Sequence, residues 1–231
     1  MKKICLIRPG ITGMLENKVD IPYGLLCLGS ALKQNGFEVT IIDLTDETYE
    51  IIPEADIYGI TSYTVYYYEC LKIKKWLREN RNLNAPIVIG GPHASTMYNE
   101  IKNDGFDYIM VGEGEITFSK IANQMKRNNQ SIIIQGERVD NLDDFLIDYT
   151  LVDINEYTRK TDYEKSISIL SSRGCPFKCA FCWTANNHNL VRYKSAENIL
   201  KEIDNIFNTY GYRNICFLDD SFLIEKKELE K

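Results

Sequence analysis

The sequence predicts an α/β protein: a doubly wound parallel sheet over residues 1–137, a linker over residues 138–165, and a shorter strand-and-helix segment over residues 166–231. Three observations predict it. Short apolar runs alternate with segments of helical period, and the runs are apolar throughout, as in strands covered on both faces. Glycine-rich loops follow those runs at their carboxyl ends. Three cysteines are then crowded into the eight residues Cys175 to Cys182.

Lys3 to Arg8 is an apolar run that stops at Pro9-Gly10, as a buried strand does. From Tyr23 the period changes: Leu25, Leu28 and Leu32 recur at helical spacing, and Gly36 stands where a left-handed cap is expected. Glu38 to Asp43 is the second strand and Ile57 to Thr61 the third, followed by a helix from Val65 to about Asn80. A fourth strand, Ile87 to Gly90, follows Pro86. The fifth, Tyr108 to Val111, leads into a helix with Phe118, Ile121, Ala122 and Met125 on one face. Ile132 to Ile134 is expected to add an edge strand.

In such sheets ligands bind beyond the carboxyl ends of the strands. The loops there read Pro9-Gly10-Ile11-Thr12-Gly13, Ser62-Tyr63-Thr64, Gly90-Gly91-Pro92-His93-Ala94-Ser95 and Gly112-Glu113-Gly114-Glu115. Glycine lets a backbone approach a bulky ligand with no side chain in the way, so the loops predict a site for something large. His93 reads as a surface or turn residue. Glu113 and Glu115 also suit the first turn of a helix, whose positive end they counter.

From Val139 to Lys165 the periodicity fades and acids gather (Asp140, Asp143, Asp144, Asp148, Asp153, Glu156), which reads as a solvated linker. Ser166 to Ser172 alternates like a strand and delivers the chain to Cys175-Pro176-Phe177-Lys178-Cys179-Ala180-Phe181-Cys182. Thiolates are soft ligands favoured by iron–sulfur clusters and zinc. Three are one fewer than a fully thiolate-bound four-iron cluster uses, so such a cluster would keep one iron open. Zinc would need a fourth ligand, for which His188 is the nearby histidine. Cys5, Cys27, Cys70 and Cys216 lie singly in apolar patterns and read as small core residues. Beyond the loop, Arg192 to Ser195 leads into a helix capped by Ser195 and ended by Gly211, with Ile199, Leu200, Ile203, Ile206 and Phe207 as its buried stripe. Asn214 to Leu218 is the next strand. Asp219 and Asp220 follow it, suited equally to a helix cap and to a ligand.

The 231 residues, 44% of them hydrophobic, suffice for ordinary cores and argue against disorder. No apolar run is long enough to span a membrane, and the first residues are not a signal peptide. Seven cysteines with three bunched do not form a secreted disulfide framework. A cytoplasmic protein is expected. The formal net charge of -6 argues against non-specific nucleic-acid binding.

Cys175, Cys179 and Cys182, with Phe181 before the last of them, resemble the signature of the radical S-adenosylmethionine enzymes. The loops of the first domain, taken in order, resemble the cobalamin-binding domain that precedes the radical domain in one branch of that family. Leu142 to Tyr149 resembles the segment connecting the two. The resemblance implies a flavodoxin-like cobalamin-binding fold followed by the first units of a partial (β/α) barrel. It implies three cofactors: a 4Fe-4S cluster on Cys175, Cys179 and Cys182; S-adenosylmethionine beside Phe181, Asp219 and Asp220; and cobalamin held by Tyr23, Gly24, Ser62, Thr64, Gly90, Gly91, Gly112 and Glu113. Reductive cleavage of S-adenosylmethionine gives a 5′-deoxyadenosyl radical in that family, and methyl transfer to an unactivated carbon is the default reaction. A small-molecule or peptide substrate and an electron donor such as flavodoxin or ferredoxin are the implied partners. The first loop lacks the Asp-x-His-x-x-Gly histidine of better-known cobalamin domains, so cobalt is expected without a histidine below it. The barrel implied has more strand–helix units than the two strands seen here, so a fragment of a longer enzyme is expected. The rival readings are a non-catalytic corrinoid- or metal-binding module with a degenerate barrel, and a zinc-bound regulatory domain on a flavodoxin-like fold.

Overall fold

A computed structural model of the protein describes residues 1–10, 18–157, 166–182 and 190–222. Gly13, His188 and the charged segment ending at Lys231 lie outside the described residues. The first part of the chain runs β1 (Lys3–Arg8), α1 (Tyr23–Gln34), β2 (Glu38–Asp43), β3 (Ile57–Thr61) and α2 (Tyr67–Asn80). It continues through β4 (Ile87–Gly90), α3 (Pro92–Met97), β5 (Tyr108–Val111), α4 (Glu115–Ile121) and β6 (Ile132–Gln135). All six strands are parallel, in the order β2-β1-β3-β4-β5-β6. The order reverses between β1 and β3, which places the switch point at the carboxyl ends of those two strands.

Both faces of the sheet are covered, as the unbroken apolar runs require. Ile7, Tyr58, Ile60, Ile87 and Ile89 pack with Cys70, Ile73 and Leu77 of α2 and Ala94 of α3. On the other face Phe118 of α4 lies over Gly59, Gly29 of α1 approaches Val39 and Ile41 of β2, and Leu28 meets Gly114. β6 is an edge strand with Ile132 and Ile133 exposed. At the amino end of β5, Asp107 is 1% exposed and accepts from the backbone N–H of Ile87 (2.6 Å) and of Asn128 (2.7 Å) while pairing with Arg78.

By contact the chain separates into two units, the first gathering Met1–Asn17, Gly24–Val139 and Asp148–Val152, the second Lys18–Tyr23, Asp140–Ile147 and Asp153–Lys231. The second unit holds β7 (Ser166–Ile169), β8 (Ser172–Arg173), β9 (Arg192–Tyr193), α5 (Ala196–Asn205) and β10 (Asn214–Phe217). β7 pairs in parallel with β10, and β8 pairs antiparallel with β9. The single strand expected from Ser166 to Ser172 is therefore two, because the chain leaves the β10 ladder after Ile169 to pair elsewhere.

Ser195 caps α5 as expected, its Oγ accepting from Asn198 N–H at 3.2 Å. The helix widens into a π-turn over Ile206–Tyr210 and ends at Gly211, whose φ is 75°. The expected stripe is only partly buried. Ile206 is fully buried, but Leu200 is 60% exposed because no described element covers that face. Cys5, Cys27 and Cys70 are buried, whereas Cys216 is half-buried and not a core residue.

Within residues 138–157 several polar and acidic side chains do more than face solvent. Asn141, Asp148 and Asp153 each cap a 3-10 turn by accepting from the backbone N–H two residues on. Asp148 also pairs with Lys33 at 2.5 Å, and Asp143 accepts from Ser195 N–H at 3.0 Å. Short polar side chains that bond their own backbone favour such turns over longer elements.

Candidate functional site

At the carboxyl ends of β3, β4 and β5 the predicted residues divide into those that build a floor and those that face outward. Ser62 is fully buried: its Oγ donates to Gly90 O at 2.7 Å and accepts from Ala94 N–H at 3.2 Å, while its backbone N–H also bonds Gly90 O at 2.8 Å. Both hydrogen-bonding roles of the hydroxyl are filled within the protein, so Ser62 ties β3 to β4. Gly91 has φ 89°, and a Cβ there would stand 2.8 Å from Thr61 Oγ1 and 2.9 Å from Ser62 N. Only glycine fits that turn. Gly112, φ 84°, donates its N–H to Ser95 Oγ at 2.9 Å, which joins the β5 loop to α3. The neighbour nearest to a Cβ on Gly90 is Met110 Cβ at 3.7 Å, an ordinary van der Waals distance, so a Cβ would meet no clash there. Glu113 accepts from Val139 N–H at 2.7 Å through Oε2.

Thr64 is exposed, and its Oγ1 lies 3.0 Å from Nδ1 of His93. His93 is not the surface or turn residue expected. It sits on α3, 8% exposed, with its ring 4.2 Å from that of Tyr67, whose hydroxyl donates to Asp104 at 2.5 Å. Burial holds its pKa below the ordinary value, against the opposing pull of the Asp104 and Glu100 carboxylates. Sequence reading missed α3; Pro92 directly after Gly91 was the available signal, since proline favours the first position of a helix. Tyr63, Val65 and Tyr68, in and after the β3 loop, are exposed by 49%, 84% and 81%.

Tyr23 and Gly24 are the first two residues of α1. The Tyr23 hydroxyl accepts from Lys194 Nζ (2.7 Å) and donates to Glu202 Oε1 (2.8 Å), and Lys194 also pairs with Glu202 at 2.6 Å. Gly24 has no heavy atom within 4 Å of where a Cβ would stand.

The cysteine loop follows β8. Cys175 and Cys182 are half-buried and Cys179 is exposed, and Cys182 N–H bonds Cys179 O at 3.0 Å. Phe177 and Phe181 are 60% and 94% exposed. Gly174 precedes the loop with φ 96°; a Cβ there would stand 2.7 Å from Leu190 O. Among the described residues no three His, Cys, Asp or Glu side chains converge as ligands of one metal ion do. Ligands of a four-iron cube stand farther apart than ligands of a single ion, so three thiols spread along one loop suit a cluster by donor chemistry.

Asp219 and Asp220 lie at the carboxyl end of β10 and do not cap a described helix. Asp219 accepts from Ser171 N–H (3.1 Å), from Ser171 Oγ (2.7 Å) and from Ser172 Oγ. Asp220 accepts from Gly174 N–H at 3.2 Å.

Fold and sites together define an α/β protein in which a doubly wound domain with bare-backbone loops shares a chain with a three-thiol loop. The sequence matches the B12 binding domain over residues 19–122 and the Radical SAM superfamily over residues 169–231. The chain belongs to the radical S-adenosylmethionine enzymes that carry a cobalamin-binding domain.

Among curated relatives it is 29% identical to the uncharacterized methyltransferase PH0819 of Pyrococcus horikoshii, over 97% of this chain and 55% of the relative. It is 30% identical to the bacteriochlorophyllide d C-8(2)-methyltransferase of Chlorobaculum tepidum, over 75% of this chain and 40% of the relative. Of solved structures, the radical S-adenosylmethionine methyltransferase TsrM of Kitasatospora setae, with cobalamin and a [4Fe-4S] cluster bound, superposes with a TM-score of 0.68. That match has 18% identity and covers 98% of this chain and 49% of that one. The cobalamin-dependent S-adenosylmethionine radical enzyme OxsB gives a TM-score of 0.74 at 16% identity, over 100% of this chain and 35% of that one. The chain thus spans about half the length, or less, of these relatives. No described helix is long and apolar enough to cross a membrane.

Proposed function

We propose that the protein is a cobalamin-dependent radical S-adenosylmethionine enzyme whose reaction is methyl transfer to an unactivated carbon. The observation that carries the proposal is the three-thiol loop of Cys175, Cys179 and Cys182, set just past the carboxyl ends of a parallel strand pair. It shares a chain with the glycine-floored loops of a doubly wound sheet. When bound, the cluster supplies the electron that cleaves the sulfonium of S-adenosylmethionine, and the corrinoid supplies the methyl carrier.

The chain's own residues do the holding. Three thiolates leave one iron of a four-iron cluster open to S-adenosylmethionine, and exposed Phe181 offers a flat apolar face for its adenine. Gly90, Gly91 and Gly112 give the corrinoid bare backbone to rest on. Thr64 presents a hydroxyl to it, Ser62 fixes the floor beneath, and Glu113 anchors the last loop through Val139.

A small-molecule or peptide substrate and a flavodoxin- or ferredoxin-type electron donor complete the scheme, in the reducing cytoplasm that exposed thiols require. The test is anaerobic reconstitution with iron and sulfide, with absorbance and 5′-deoxyadenosine release as readouts. The wild type is expected to show the cluster spectrum and reductant-dependent release, and Cys179→Ala to show neither. A Cys179→Ala variant with the wild-type cluster spectrum overturns the assignment. Zinc in place of iron on elemental analysis overturns the whole scheme.

A further inference from the structure

Asp219 and Asp220 occupy the place where the resemblance predicts contacts to S-adenosylmethionine, yet their carboxylates already face donors of the protein. The parallel register explains how. Ile169 stands opposite Phe217, and Leu218 N–H bonds Ile169 O at 2.8 Å, so β7 and β10 end together. The residues that follow them, Ser171-Ser172 on one side and Asp219-Asp220 on the other, therefore meet.

Ser171 and Ser172 are 9% and 1% exposed, and buried hydroxyls need acceptors. Asp219 supplies them through Oδ1, and its Oδ2 takes the Ser171 N–H. Bonds to an ionised carboxylate are roughly twice as strong as neutral ones. From the other side Lys194 N–H bonds Ser171 O at 2.8 Å, so Ser171 is held at its nitrogen, hydroxyl and carbonyl. Gly174 then turns left-handed with its N–H on Asp220, and Cys175 is the next residue.

We propose that Asp219, assisted by Asp220, is a positioning residue for the cluster: it clamps the backbone from which the cysteine loop springs and is not a contact to S-adenosylmethionine. The proposal rests on the reading that Cys175, Cys179 and Cys182 hold a cluster. Groups of this kind, which orient ligands without touching the metal, typically change metal retention by 10–100-fold when removed.

The test compares the wild-type chain, Asp219→Asn, the double variant Ser171→Ala/Ser172→Ala, and Ser171→Thr after anaerobic loading with iron and sulfide. Three quantities are read: iron and sulfide per chain, the rate of iron loss to a ferrous chelator, and the change in the reduced-cluster EPR signal on adding S-adenosylmethionine. An asparagine replaces one carboxylate acceptor by a donor. Asp219→Asn and the double serine variant are expected to lose iron about tenfold faster or more. Ser171→Thr, which keeps the hydroxyl, should stay within about twofold of wild type. The double serine variant should retain the S-adenosylmethionine effect on its remaining cluster.

Wild-type iron retention in Asp219→Asn, with the S-adenosylmethionine effect gone, would make the carboxylate a cofactor contact and overturn the proposal. Should Asp219→Asn fail to fold by circular dichroism, the double serine variant decides alone on the same readouts. A wild type that takes up no four-iron cluster overturns the underlying reading instead. The clamp itself is then decided by amide exchange at Ser171 and Gly174 in the unloaded chain, faster in Asp219→Asn if it exists and unchanged if it does not.

Discussion

Ser62 and Thr64 stand two residues apart and do opposite work. The family resemblance assigns both to cobalamin, but the Ser62 hydroxyl has its two partners inside the protein, whereas Thr64 is exposed, with its hydroxyl beside buried His93. His93 supports a prediction with a definite sign. Because burial lowers its folded-state pKa below the ordinary 6.5, the unfolded chain binds a proton before the folded chain does. Its contribution to stability is therefore full above about pH 6.5 and is lost as pH falls from there through the lowered value. Urea midpoints at about pH 7.5 and pH 5.5 should separate for wild type by more than for His93→Asn, which does not titrate there. Equal separations would refute it. At this scale the helix-ending glycines were the most legible: Gly36 and Gly211 both adopt positive φ, while the positive φ of Gly91 and Gly112 was not foreseen. The partners of Ser62, His93 and Asp219 were not legible, because a side chain's hydrogen bonds depend on which strands become neighbours.

At the scale of elements, β1, β3, β4 and β5 follow the apolar runs because strands covered on both faces favour apolar residues along their length, whereas β2, at the sheet edge, carries exposed Glu38 and Thr40. Elements without that constraint were harder to read. α3 hid inside a loop that Gly90-Gly91-Pro92 seemed to define, and β8 and β9, two residues each, are too short to carry a period. Alternation from Ser166 to Ser172 persisted across a change of partner, which periodicity does not register. The join between α2 and β5 carries the second prediction. Asp107→Ala takes the counter-charge from Arg78, which keeps its bond to Ala85 O, and leaves two backbone N–H groups without their acceptor; it should cost about 3–5 kcal/mol by urea denaturation. Asp107 lies at the amino end of β5, opposite the carboxyl-end loops, so hydroxocobalamin affinity at low temperature should stay within about twofold of wild type. A loss below about 1 kcal/mol would refute the staple.

At the scale of the whole molecule, the first unit is not one stretch of chain: it takes in Asp148–Val152. Within that unit Asp148 N–H donates to Ser30 Oγ at 2.8 Å, Asp148 pairs with Lys33, Tyr149 is 2% exposed, and Leu151 packs on Gly29. Residues 1–152 are therefore expected to fold and bind hydroxocobalamin without iron. Ending at residue 139 should cost about 3 kcal/mol, chiefly for the buried Tyr149 ring. Equal thermal stability of the two lengths would refute a structural role for the strap. The clamp on the cysteine loop has a further consequence, in the order of synthesis. Ser171 meets a carboxylate 48 positions downstream. At ribosomal speed the three thiols emerge roughly 2–10 s before the acid that fixes their loop. Nascent chains thus pass through an interval in which the thiols are made but the clamp is not. Loading of iron belongs after that interval, and oxidants that find the thiols within it meet an unclamped loop.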